Sequence, residues 1–174
     1  MRTSLTRPAR MITCPVNAMS MTTVAPAADM VLRSGNARAS LVCGKRVLVV
    51  DDEESMRVII AALLEALGVV VTVAENGSQA LELYRRETFD AVLTDYHMPQ
   101  MRGDELACAI KNVNPAQRVL LITGSAEDLR EQGKLPAGID EMIAKPCTLD
   151  QLAHALSDIP RQKSAAPSQN YLAA

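Results

Sequence analysis

Five polar side chains stand where apolar runs stop: Asp51 and Asp52 after RVLVV, Asp95 after DAVLT, Thr123 at the close of RVLLIT, and Lys145 after EMIA. Three carboxylates brought together raise one another's proton affinity unless a cation lies between them. Hard oxygen donors in a partly hydrated cleft suit Mg²⁺. With an ammonium and a hydroxyl added, such a cavity can stabilise a phosphoryl group passing to a nucleophile. Asp95 is the natural nucleophile. In FDAVLTDYHMPQMRGDE a buried apolar segment ends in its carboxylate and runs out through Pro99 and Gly103 into a loop.

The elements that must carry these residues alternate along the chain. RVLVV suits a strand buried on both faces, and EESMRVIIAALLEALG follows with Ile60, Leu63, Leu64 and Leu67 on one helical stripe and Gly68 closing it. VVVTV precedes NGSQALELYRR, DAVLT precedes GDELACAIKNVNP, RVLLIT precedes SAEDLREQG, and EMIA precedes TLDQLAHAL, where Thr148 and Gln151 have capping-box spacing. Five strand–helix pairs predict an α/β fold, a doubly wound five-stranded parallel sheet with helices on both faces. Ligands of such sheets gather at the carboxyl ends of the strands, where all five polar residues stand.

Composition narrows the function classes. At 174 residues, 48% hydrophobic and 22% charged, the chain suits one domain with a sizeable core plus tails. Cys14, Cys43, Cys108 and Cys147 lie far apart without a CxxC pair, which argues against zinc and a disulfide framework and for a reduced, cytoplasmic chain. No stretch approaches the roughly 20 apolar residues of a membrane span. Residues 1–44 hold five Arg against Asp29, +4, and residues 161–174 add Arg161 and Lys163, +2, so the total of −2 leaves −8 for residues 45–160. An acidic body binds polyphosphate poorly, which excludes nucleic acid as the expected partner. Residues 1–44 show no periodicity and are expected to be a disordered extension, with the folded domain at 45–158 and a second disordered tail at 159–174. An Arg-rich, acid-poor leader also fits organelle targeting, but an irregular tail, or a true start at Met19, Met21 or Met30, accounts for it more simply.

Taken singly, each residue has a plainer reading. Asp51 and Asp52 could complement a helix N-terminus, Asp95 could be a loop acid, Thr123 a strand residue and Lys145 a solvated charge. His97 has no second His beside it and is not expected to bind metal through its ring, because His154 lies on the last helix. Met98 and Met101 read as loop packing.

In this order and on these strand ends, VLVVDDEESMR, LTDYHMP, ITGS and AKP resemble the acidic pair, phosphoacceptor, hydroxyl and Lys-Pro motifs of the receiver domain of two-component response regulators, over about residues 45–158. The resemblance implies a flavodoxin-like receiver fold in which Asp95 accepts a phosphoryl group from the phosphohistidine of a histidine kinase or histidine phosphotransfer protein. It implies Mg²⁺ held by the side chains of Asp52 and Asp95, by Asp51 through water and by the backbone carbonyl of His97. It further implies that Thr123 bonds the phosphoryl oxygen, that Lys145 pairs with it, and that the Lys145–Pro146 bond is cis. Such a module signals by protein–protein contact or relays the phosphoryl group onward, and is not an enzyme beyond its own phosphorylation and dephosphorylation. With no output segment after Ser157, a single-domain regulator is expected, although KLPAGID is similar to receivers attached to hybrid sensor kinases. One departure stands out: Met142 occupies a position that is usually Tyr or Phe in the family. Two alternatives remain. A haloacid dehalogenase-like phosphatase would place its nucleophile in an Asp-x-Asp motif on the first strand, where this chain has adjacent Asp51 and Asp52. A degenerate receiver would lack an acid or the Lys, and none is missing.

Overall fold

Five short apolar runs become five strands: β1 (Arg46–Val50), β2 (Val70–Ala74), β3 (Ala91–Thr94), β4 (Arg118–Thr123) and β5 (Glu141–Ala144). The computed structural model describes residues 38–126, 129, 133 and 135–161. All strand pairs are parallel, in the order β2-β1-β3-β4-β5. Between them run α1 (Glu54–Ala66), α2 (Gly77–Arg86), α3 (Gly103–Val113) and α4 (Leu149–Ser157). Of the helix expected over 125–133, Ala126 and Leu129 are helical and buried, while 127, 128 and 130–132 lie outside the described residues.

Because side chains alternate across a strand, an apolar run without polar interruption must feed two cores. Val47 and Val49 face one core with Leu93 and Ile122, covered by Ile60 and Leu64 of α1 and Leu152 and Leu156 of α4. Leu48 and Val50 face the other with Val92 and Leu121, covered by Ala80 of α2 and by Leu106 and Ile110 of α3. The stripe on α1 is thus core, as its spacing predicts. The Val69 amide donates to the Leu64 carbonyl and the Gly68 amide to that of Glu65, with Gly68 at φ +76°, so the helix ends in a Schellman turn that requires a left-handed residue. Thr148 and Gln151 form the expected capping box at the start of α4.

Two boundaries differ from expectation. β2 begins one residue later than VVVTV suggests, an error an edge strand invites, because Val70 and Val73 are about half exposed and give no burial signal. The folded unit also reaches beyond 45–158: a helical turn over 38–42 places Val42 in the core, and Ile159 is buried at the other end. Lys45 ties these ends together. It is only 2% exposed, and its Nζ donates to the carbonyls of Leu156, at 2.6 Å, and Ile159, closing the C-terminus of α4. Burial holds its pKa below the ordinary lysine value, against the pull of Asp90 and Asp158. Residues 1–37 and 162–174, expected as tails, lie outside the described residues.

Candidate functional site

Strand register brings the site residues level. β1 pairs with β3 so that Val50 stands opposite Thr94, and the next residues along the two strands are Asp51 and Asp95. The Asp95 amide continues the ladder by donating to the Val50 carbonyl at 2.8 Å. On the other side Thr123 pairs with Ala144, and the Lys145 amide donates to the Thr123 carbonyl at 2.9 Å. The chain steps from β1 outward to β2 and then back to β3 on the opposite side of β1. The crevice at that reversal, outside the carboxyl ends of β1 and β3, is where open α/β sheets place their ligands.

At its centre one ammonium serves two acids. Lys145 Nζ lies 2.7 Å from Asp51 Oδ2 and 2.7 Å from Asp95 Oδ1. The remaining oxygens accept from the backbone: Asp51 Oδ1 from the Glu53 amide at 2.9 Å, and Asp95 Oδ2 from the His97 amide at 2.7 Å. Asp51 and Asp95 are 2% and 8% exposed, so neither charge could persist here without these donors. Burial pulls the Lys145 pKa down, but the bonds and charges of Asp51 and Asp95 together outweigh it and hold it above the ordinary value. Lys145–Pro146 is cis, as the family resemblance implies.

The loop after Asp95 turns back tightly against it. Gln100 adopts φ +70°, and the Gly103 amide donates to the Tyr96 carbonyl at 3.1 Å, folding the start of α3 back over the site. A Cβ on Gly103 would run into the Asp95 carbonyl oxygen, so only glycine allows this approach. At the rim the His97 ring meets Tyr96 edge-on at 4.8 Å, and the Arg102 guanidinium lies 4.5 Å over the Tyr96 ring. Met98 is buried in the α2–α3 core with Met101 packed against it, which is the loop packing expected of them.

Of the sequence-derived set, the structure gathers Asp51, Asp95 and Lys145 into one hydrogen-bonded group. Thr123 is buried beside it at the end of β4, where its Oγ1 accepts from the Ser125 amide at 3.2 Å. Asp52 is not gathered, since its side chain is exposed, and among the described residues no three His, Cys, Asp or Glu stand close enough to hold a metal ion between them. The donor chemistry nonetheless suits a hard divalent cation: two carboxylates share one positive charge, leaving net negative charge and oxygen ligands only. Sequence reasoning missed Arg57, whose Nη1 donates to the carbonyls of Asp51, at 2.6 Å, and Asp52, at 3.0 Å. The available signal was a cation one helical turn beyond an acidic cluster. It also missed the steric need at Gly103, which no local pattern carries.

Comparison with known families matches residues 47–157 to the response regulator receiver domain. The transcriptional regulatory protein ZraR of Klebsiella oxytoca is 39% identical over 112 residues, 64% of this chain, and the chain spans 25% of ZraR's length. The chemotaxis protein CheY of Halobacterium salinarum is 32% identical over 115 residues, 66% of this chain and 96% of that protein. Among solved structures, the receiver domain of a sensor histidine kinase from Pseudomonas aeruginosa, crystallised with a magnesium ion in its active site cleft, superposes with a TM-score of 0.60 at 27% identity over 67% of this chain and 98% of that one.

Proposed function

Because the chain belongs to the response regulator receiver family, we propose that Asp95 accepts a phosphoryl group from the phosphohistidine of a histidine kinase or histidine phosphotransfer protein. The observation that carries this reading is the shared ammonium: Lys145 holds the carboxylates of Asp51 and Asp95 at 2.7 Å each, in a crevice that leaves them almost dry. Lys145 and the His97 amide both bond the Asp95 carboxyl, the group this reading makes the nucleophile.

A carboxylate oxygen of Asp95 attacks phosphorus, the new P–O bond forms as the donor's P–N bond breaks, and the imidazole leaves as the neutral base after taking up a proton. As the acid becomes an acyl phosphate, Lys145 exchanges one of its acid partners for a phosphoryl oxygen and balances the added charge. The Thr123 hydroxyl, at the neighbouring strand end, donates to another phosphoryl oxygen, and the His97 amide continues to orient the carboxyl. Mg²⁺ bound by Asp52, Asp95 and the His97 carbonyl, with Asp51 acting through water, would neutralise the remaining phosphoryl charge. The phosphorylated domain then acts through protein contacts or passes the group on.

The test is incubation with Mg²⁺ and acetyl phosphate followed by intact mass measurement. One added phosphoryl group is expected in the wild type and none in Asp95→Asn or in excess EDTA. An unmodified wild-type mass, or an adduct that persists in Asp95→Asn, sinks the assignment.

A further inference from the structure

We infer that Arg57 is the positioning residue for the acidic pair, fixing the peptide that carries Asp52 so that this acid can complete a divalent cation site with Asp95. The inference rests on the Mg²⁺ site proposed above.

Asp51 has its own anchors, the Glu53 amide and Lys145. Asp52 has none: among the described residues its carboxylate makes no hydrogen bond or ion pair. Order at Asp52 therefore comes only from its backbone, and Arg57 holds that backbone. The Arg57 amide donates to the Glu53 carbonyl at 3.1 Å, so its Cα is set by the first turn of α1, while its Nη1 reaches back to two successive carbonyls, those of Asp51 and Asp52. Two bonds from one nitrogen turn both peptide planes toward the helix and so define where the Asp52 side chain leaves the main chain. Four carboxylates, Asp51 to Glu54, stand within reach in sequence, yet among the described residues Arg57 pairs with none of them and bonds main-chain oxygens instead. Simple neutralisation of an acidic cluster would favour the carboxylates.

The two roles open to Arg57 differ in sign. A guanidinium acting as a local charge repels a divalent cation, so its removal tightens binding. A guanidinium acting as a positioning group weakens binding when lost, as partners of metal ligands do.

The experiment follows the amide resonances of Asp52 and His97 in the full chain as MgCl₂ is added at constant ionic strength. We expect Arg57→Gln to raise the apparent Kd about tenfold, with Arg57→Lys, which keeps the charge but loses the planar fork, between it and the wild type. In an Asp52→Asn background, itself weakened, Arg57→Gln should add nothing, because its effect acts through Asp52. Equal or tighter binding by Arg57→Gln, or a full additional loss in the Asp52→Asn background, overturns the inference while leaving the site standing. Should Arg57→Gln not fold in EDTA, Arg57→Lys decides: weaker binding supports the role, and wild-type affinity overturns it. If Asp52→Asn and Asp95→Asn both bind Mg²⁺ as the wild type does, the proposed site fails and the inference falls with it.

Discussion

Replacing Lys145 by Met keeps the aliphatic stem and deletes the ammonium that Asp51 and Asp95 share. Each bridged oxygen is 2.7 Å from the same nitrogen, so the two acids stand no farther apart than twice that distance, with side chains 3% and 10% exposed. Like charges about 5 Å apart repel by about 3 kcal/mol at an effective dielectric of about 20. The attraction lost is larger in gross terms, about 6 kcal/mol per pair at 2.7 Å and the same dielectric, but is largely offset because the ammonium no longer has to be desolvated. The repulsion is present in the wild type too, where the ammonium offsets it, so the net loss is that of removing one partner from a buried ion pair, about 3 kcal/mol at pH 7 without metal, measured as a fall in urea midpoint in EDTA. The pH dependence identifies the cause. In the wild type the Lys145 pKa is raised, since its bonds and charge contacts to Asp51 and Asp95 overcome the larger single effect of burial. Its contribution is therefore complete below the unfolded lysine value of about 10.4 and is lost only as pH rises through the folded value, leaving it flat from about pH 7 to 9. The variant's deficit should instead shrink toward about pH 4, where protons neutralise carboxylates. Adding Asp51→Asn to Lys145→Met should recover at least half of the loss. A deficit under about 1 kcal/mol at pH 7, or one equal at pH 7 and pH 4, would refute the electrostatic account.

Two further outcomes follow from the same geometry. Gly103→Ala places a methyl group against the Asp95 carbonyl oxygen and Leu121, and since backbone cannot yield cheaply it should cost about 3 kcal/mol and suppress acetyl phosphate labelling; wild-type thermal stability would contradict this. Met142, half buried against the α2–α3 core, has several low-energy rotamers where the family usually has a ring, so its two states should differ little in free energy. Beryllofluoride should then shift amides at 140–157 less than those around Asp95, and Met142→Tyr should enlarge those distant shifts. Large wild-type shifts there would defeat the soft switch and with it a role as relay intermediate or phosphate sink.

Most of the fold was legible because β1, β3 and β4 are buried on both faces, so their apolar runs are unbroken and end abruptly at a polar residue. The edge strand β2 lacked that contrast and was misplaced by one residue. Lys45 was unreadable for the opposite reason. A lysine before a strand looks like surface, and its burial depends on carbonyls of a helix more than a hundred residues away in the chain. The site shows the same division. The order and strand-end positions of Asp51, Asp95, Thr123 and Lys145 are local facts and were read correctly as neighbours of one crevice. That Lys145 itself lies between the two acids depends on the reach of a long side chain, which spacing does not encode.

Asp51 and Asp52, adjacent in the sequence, part company in the structure. Adjacent residues at the end of a strand point to opposite faces, so Asp51 and Asp52 cannot both enter the crevice by continuing β1. The structure obeys this, with Asp51 buried and Asp52 exposed. An acidic pair can therefore act together only if the chain turns between its members, and such a turn has to be held. The bonds that hold it come from Glu53, the N-cap of the helix that follows, and from Arg57 inside that helix. The chemistry written at the strand end is thus tied to the first turn of α1, and perturbations there should reach the proposed metal site without touching a single proposed ligand.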